Sequence, residues 1–199
     1  MNTQIASLCL FCGSNTGTRP VYADAAAQLG RALAARGVTL IYGGGSVGLM
    51  DIAAQAALDA GGRVIGVITE QLMGREVGHS GLDQLHVVAS MHERKALMAR
   101  LSDAFIALPG GFGTFDELCE MATWDQLGIH AKPLVVVNLE GYFDSFLAQL
   151  DRAVADGLLK AEHRALLGCA TTVDAALAAL AAWQPPPVPQ WLRAAAPRP

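Results

Sequence analysis

Charge is scarce in this chain. Asp, Glu, Lys and Arg make up 16% of the 199 residues, against an apolar share of 52%. That balance suits an α/β fold whose sheet is covered on both faces; with the strand–helix alternation along the chain, the expected architecture is a single-domain, Rossmann-like, doubly wound parallel sheet with helices on both faces. Basic blocks are missing as well. With 14 Lys and Arg against 18 Asp and Glu, the net charge is −4, and no run of cations can neutralise phosphates in series. A nucleic-acid duplex is therefore not the expected partner. A small phosphate remains compatible, since one helix terminus and one or two cations suffice to hold it. No apolar run reaches the length of a membrane span before glycine or charge breaks it, and Met1 to Ile5 lacks the basic start of a signal peptide. The expectation is a cytoplasmic protein without membrane contact.

Several chemistries lack their residues. Four cysteines, Cys9, Cys12, Cys119 and Cys169, do not make a disulfide framework in such a chain, and core packing is expected for these thiols. Cys9-x-x-Cys12 has no second half to complete a zinc site, and residues three apart in a strand point to opposite faces. His79, His86, His92, His130 and His163 form no helical ligand pair, so no metal is implied. No Gly-x-Ser-x-Gly elbow supports a Ser–His–Asp triad, and no P-loop ending in Gly-Lys-Ser/Thr occurs. Gly43 to Gly48 reads Gly-Gly-Gly-x-x-Gly, which is not the dinucleotide spacing. The nearest acidic ribose partner would be Glu70, so NAD binding is the weaker reading.

What is present alternates strand and helix. Ala6–Cys12, Val38–Tyr42, Arg63–Ile68, Leu85–Val88, Ala104–Leu108 and Pro133–Asn138 read as strands. Helices are expected from Pro20 to the stop at Gly37, from Leu49 to Ala60, and over Met91–Leu101, Leu118–Trp124, Tyr142–Asp156 and Thr172–Trp183. Short connections predict parallel strands with right-handed crossovers. Thr69–Asp83 breaks the rhythm and reads as a long functional loop. The expected domain spans 1–183, followed by a Pro-rich tail over 184–199.

The chain is organised around Pro109-Gly110-Gly111-Phe112-Gly113-Thr114-Phe115-Asp116-Glu117. A buried strand precedes it and a helix follows, the arrangement in which glycines let the backbone approach an anion and free helical N–H groups point at it. Asp116 and Glu117, read as lying in the first helical turn, could merely complement the dipole. Beside a phosphate cradle they suggest chemistry on the group attached to that phosphate. A carboxylate near an anomeric carbon stabilises oxocarbenium character and can activate water, which gives Glu117 a role in N-glycoside cleavage.

Pro109-Gly110-Gly111-x-Gly113-Thr114-x-x-Glu117, preceded by Met91-His92-Glu93-Arg94-Lys95 and by Gly43-Gly44-Gly45-x-x-Gly48-Leu49-Met50, resembles the LOG (Lonely Guy) family. The resemblance runs from Leu8 to about Leu159. It implies a phosphoribohydrolase that cleaves a cytokinin riboside 5′-monophosphate or AMP to free base and ribose 5-phosphate, with no cofactor and as a homodimer. It makes Glu117 and Arg94 catalytic. Lys95 would contact phosphate or base, and substrate contacts would fall on Gly110, Gly111, Phe112, Gly113, Thr114, Asp116, Thr123 and Glu76. Ser14, Gly44, Gly45 and Gly48 would line the same cleft, and Met91 would touch the base. The competing class is a non-catalytic nucleotide- or molybdenum-cofactor-binding carrier of the same fold. The family's older label, a lysine decarboxylase, would need a pyridoxal Schiff base on Lys95, Lys132 or Lys160.

Overall fold

The computed structural model describes residues 5–76, 79 and 81–184, except for the side chains of residues 75 and 76. The expected Pro-rich tail lies outside the described residues apart from Gln184. Seven strands, β1 (Ser7–Phe11), β2 (Thr39–Tyr42), β3 (Val64–Thr69), β4 (Gln84–Val88), β5 (Ala104–Ala107), β6 (Leu134–Val137) and β7 (Leu167–Ala170), form one sheet in the order β4-β3-β2-β1-β5-β6-β7. Every pairing is parallel. The helices are α1 (Pro20–Ala35), α2 (Gly48–Asp59), α3 (Glu70–Glu76), α4 (Met91–Leu101), α5 (Phe112–Gln126), α6 (Asp144–Ala155), α7 (Ala161–Arg164) and α8 (Val173–Ala182).

Strand alternation divides the core into two layers. Leu8, Leu10, Leu40, Tyr42 and Ile106 meet Leu29 and Leu33 of α1, Leu49 and Ala53 of α2, and Leu177 and Leu180 of α8. On the other face Cys9, Phe11, Ile41, Val67 and Phe105 meet Met98 of α4, Leu118 and Met121 of α5, and Phe143. The sheet is therefore covered on both sides, as its apolar strands require. Cys9 and Cys12 do take opposite faces.

The order of strands decides where a ligand can sit. From β1 the chain builds outward to β4, then crosses back to place β5 on the other side of β1. Loops leaving the C-terminal ends of β1 and β5 therefore diverge, and the crevice between them is where an open parallel sheet binds ligands. The opposite edge is tied down by Asp103, whose Oδ2 accepts from the N–H groups of Ala6 at 2.9 Å and Ser7 at 3.0 Å and from Ser7 Oγ at 3.0 Å.

Four expectations change. Thr69–Asp83 is not all loop, because Glu70–Glu76 forms α3, its first turn drawn in by Leu72 N–H donating to Thr69 Oγ1 at 3.2 Å. The helix after the glycine turn starts at Phe112, so Asp116 and Glu117 lie in its second turn and no acidic residue occupies its first. Their carboxylates are thus not dipole caps. The short helix α7 and the edge strand β7 went unread, since Leu-Gly-Cys-Ala buries only one residue fully and carries no alternation. Cys119 and Cys169 are exposed rather than packed, one on the outer side of α5 and one on that edge strand. Among the described residues no helix is long and apolar enough to cross a membrane.

Helices α1 and α2 pack closely enough that a Cβ at Gly30 would stand 2.2 Å from the Ala53 carbonyl oxygen and 2.8 Å from the Ala57 nitrogen. Helix propensity alone would make Gly30→Ala stabilising by about 1 kcal/mol. The clash reverses the sign, and urea denaturation should show a net loss of about 1–3 kcal/mol. A stabilised variant would mean that the two helices are not in this contact.

Candidate active site

Helix α4 carries the cations. Ser90 caps it, with Glu93 N–H donating to Ser90 Oγ at 3.2 Å, and Glu93 Oε2 accepts from Ala89 N–H at 2.9 Å. This near-capping-box engages Glu93 in starting the helix, and the next two residues, Arg94 and Lys95, fall on the buried face. Arg94 Nε donates to the Val67 carbonyl at 2.9 Å and Nη2 to the Gly43 carbonyl at 2.7 Å. The remaining nitrogen, Nη1, stands 3.8 Å from the Met91 sulfur, a weak acceptor that leaves most of its donor capacity for a ligand. A Cβ at position 43 would lie 2.1 Å from Nη2. Gly43 is thus required by the arginine it holds.

Lys95 is also buried. Its Nζ donates to Asp116 Oδ2 at 2.9 Å and lies 3.1 Å from Glu120 Oε2. Burial alone would lower its pKa, but the two carboxylates outweigh that and raise it. The lysine is a fixed cation.

Helix α5 brings an anion cradle and an acid together. Its N-cap is Gly111, with no capping side chain, so the N–H groups at the start of the helix are left for a ligand. Gly110 packs so tightly that a Cβ there would come within 2.1 Å of Thr114 Oγ1 and 2.7 Å of the Gly13 nitrogen. Gly13 in turn donates its N–H to the Pro109 carbonyl at 3.0 Å and accepts from Leu49 N–H at 3.0 Å. The turns after β1, β2 and β5 are therefore one interlocked unit. Glu117, about 4.5 Å of helix rise beyond Thr114, is only partly exposed. Desolvation pushes its carboxyl up to about 7, against the pull of Arg94 and Lys95 and with Asp116 and Glu120 adding to the rise. Among the described residues it forms no ion pair; the nearby bridges run through Lys95 instead.

The remaining candidates distribute unevenly. Ser14, Gly110 and Gly111 line a cavity of about 260 Å³ that also takes in Asn15, Tyr22 and Tyr142. Gly44 has φ +75° and Gly48 φ +59°, and Gly48 abuts the Ser14 backbone. Gly45 is buried behind them. Met91 is half-exposed beside Arg94, Gly113 is exposed at the rim, and Phe112 is 95% exposed. Thr123 sits two turns further along α5, exposed, its hydroxyl donating to the Cys119 carbonyl at 2.7 Å. It follows Asp116 and Glu120 on the same stripe of α5. Glu76 ends α3, and its side chain lies outside the described residues. Sequence reading missed Glu120, although four residues from Asp116 put it on the same helical stripe. It also missed Tyr142, whose hydroxyl donates to the Gly110 carbonyl and which no local pattern marks. Among the described residues no cluster of three His, Cys, Asp or Glu could hold a metal ion.

The raised Glu117 pKa has a sign in stability. A carboxyl with an ordinary value of 4.5 and a folded value of about 7 favours the fold fully below pH 4.5, and that advantage is lost as pH rises through 7. Glu117→Gln stays neutral throughout. It is expected to be more stable than the parent at pH 8 by about 1–3 kcal/mol, with the difference closing towards pH 4.5. Urea titrations at both pH values decide this; a gap that does not depend on pH would show a solvated carboxyl.

A family model described as "Possible lysine decarboxylase" matches residues 50–180. Over 165 residues the chain is 54% identical to the probable cytokinin riboside 5′-monophosphate phosphoribohydrolase LOGL1 of Oryza sativa subsp. japonica, covering 83% of this chain and 74% of that one. It is 46% identical over 183 residues to cytokinin riboside 5′-monophosphate phosphoribohydrolase LOG4 of Arabidopsis thaliana, covering 92% and 85%. The molybdenum cofactor carrier protein of Chlamydomonas reinhardtii shares the fold, with a TM-score of 0.67 over 88% of this chain and 96% of that one, at 24% identity. With half its length and more aligned to such relatives, this chain belongs to the LOG family.

Proposed function

We propose that the protein hydrolyses the N-glycosidic bond of a purine nucleoside 5′-monophosphate, a cytokinin riboside 5′-monophosphate or AMP, releasing the base and ribose 5-phosphate. The observation that carries this reading is the desolvated Glu117 carboxyl set one helical turn beyond the uncapped amides of α5. One helical turn is about 5 Å of rise, on the scale of a single ribose. The phosphate sits on the amides of Phe112, Gly113 and Thr114, favoured by the helix dipole. Asp116, at the mouth of the site, accepts from ribose hydroxyls.

Cleavage then needs little more. As the glycosidic bond lengthens, the ionised Glu117 faces a sugar that gains positive character. The same carboxylate takes a proton from the attacking water, whose oxygen bonds the anomeric carbon, and a proton passes to the departing base. A base with a pKa near the working pH is well matched to that step. Arg94 supplies a fixed positive charge, its Nη1 bonded only to the weakly accepting Met91 sulfur. A decarboxylase reading finds less support: Lys95 is held charged by two carboxylates, the opposite of a Schiff-base nucleophile, and Lys132 Nζ donates to the Ala99 carbonyl at 2.7 Å. The carrier reading has a likeness of fold alone behind it.

Incubation with AMP should release adenine, followed by chromatography, and the rate should rise with pH through about 7 as Glu117 ionises. Glu117→Gln is expected to lower the rate by at least about 10²-fold. Thermal stabilisation by AMP with no adenine formed would favour a carrier. The same reading includes a homodimer, supported by the exposed apolar side chains of Phe112, Leu127 and Ile129. Light scattering should return twice the chain mass; a monomer would remove the dimer without touching the chemistry.

A further inference from the structure

Lys95 poses a problem that the hydrolase reading alone does not solve. Its ammonium is buried, and in the structure its shortest contact is Asp116 Oδ2 at 2.9 Å. Asp116 is also the more exposed of its two partners, with 58% of its side chain in solvent against 21% for Glu120. If Asp116 turns to a nucleotide's ribose, the lysine loses its best hydrogen bond inside the protein. A buried ammonium left without a partner is strongly disfavoured.

Glu120 has what the lysine would then need. It stands one turn from Asp116 on α5, and its Oε2 is sealed from solvent 3.1 Å from Lys95 Nζ. That ion pair is already in place and already helps hold the lysine charged, so Lys95 keeps an anionic partner if Asp116 is withdrawn.

We propose that Glu120 is a positioning residue: it keeps Lys95 paired when Asp116 leaves the lysine for the sugar hydroxyls of the bound nucleotide. Asp116 is thereby free to act as a ribose acceptor because a second carboxylate stands behind it. The charged groups around this exchange are Arg94 and Lys95 from α4 and Asp116, Glu117 and Glu120 from α5; Lys95 stays with Glu120 while the exposed Asp116 carboxylate turns outward. The inference rests on the nucleotide-site reading given above, though not on turnover.

Binding in a Glu117→Gln background, measured by calorimetry, tests it without hydrolysis. Adding Glu120→Gln should weaken AMP about 10-fold, because Asp116 must then stay with the lysine. Glu120→Asp should restore binding to within about threefold. The decisive readout is the sugar. For whichever of 2′-deoxy-AMP and 3′-deoxy-AMP lacks the contacted hydroxyl, the Glu120→Gln loss should shrink below about twofold. Equal losses with AMP and both deoxy nucleotides would mean that Glu120 only supports the helix, and no loss with any of them would mean that Lys95 does not need it; either overturns the proposal. Absence of AMP binding overturns it together with the nucleotide-site reading. If the parent protein binds AMP and releases no adenine while the sugar-dependent pattern appears, the hydrolase reading fails and the role of Glu120 stands.

Discussion

A buried guanidinium sets the terms for this site. Arg94 lies beneath the C-terminal ends of β2 and β3, its Nε and Nη2 spent on the carbonyls of Val67 and Gly43. Charge in such a place is tolerated only when its donors are satisfied. The two carbonyls do this and at the same time fix the plane of the group. Everything nearby makes room for it. Position 43 can carry no side chain, and the helix bearing Arg94 is started by its own cap at Ser90 and Glu93 so that Arg94 and Lys95 come out on the inner face. A guanidinium so constrained leaves one nitrogen, Nη1, whose contact is the Met91 sulfur at 3.8 Å.

The second constraint is backbone proximity. Gly13, Gly48 and Gly110 bring three strand-end turns within contact of one another, so the cradle at the start of α5 is braced from two sides. Tyr142, arriving from beyond β6, reaches back to the Gly110 carbonyl and packs edge-on against Tyr22. Rigidity of this kind lets exposed amides bind an anion without a large ordering cost. It also explains the glycines at positions 13 and 48, where an added Cβ would strike main chain rather than a side chain that could move.

Much of this was legible in the sequence. Apolar strands, helical spacing and punctuation by glycine gave the alternation, and Pro20 and Gly37 mark the two ends of α1 as read. Motif order identified the loop carrying Gly110 to Thr114 and the helix carrying Arg94. What stayed hidden had weak local signals. Leu-Gly-Cys-Ala becomes a strand only because β6 offers an edge to pair with. Glu120 looked like any helical glutamate until Lys95 was found folded against it. The position of Asp116 and Glu117 in the second turn depended on where the helix starts, and an uncapped glycine N-cap leaves no sequence mark of that boundary. Tyr142 reaches the site through tertiary packing across 32 residues, which no spacing rule anticipates.

Charge balance joins these parts. With Glu117 protonated, Arg94 and Lys95 cancel Asp116 and Glu120; ionising Glu117 leaves one negative charge in a desolvated place. An arginine nearby would ordinarily hold a carboxyl below its usual value. Here the value is about 7, so desolvation outweighs Arg94, and the lysine is too committed to its own carboxylates to reverse the outcome. The fold therefore keeps an acid that it can ionise near neutrality only at a cost in stability. Among the described residues Glu117 forms no ion pair that would offset that cost. The proposed chemistry would give that cost a use, since a developing positive charge on a bound sugar would relieve the electrostatic strain at Glu117.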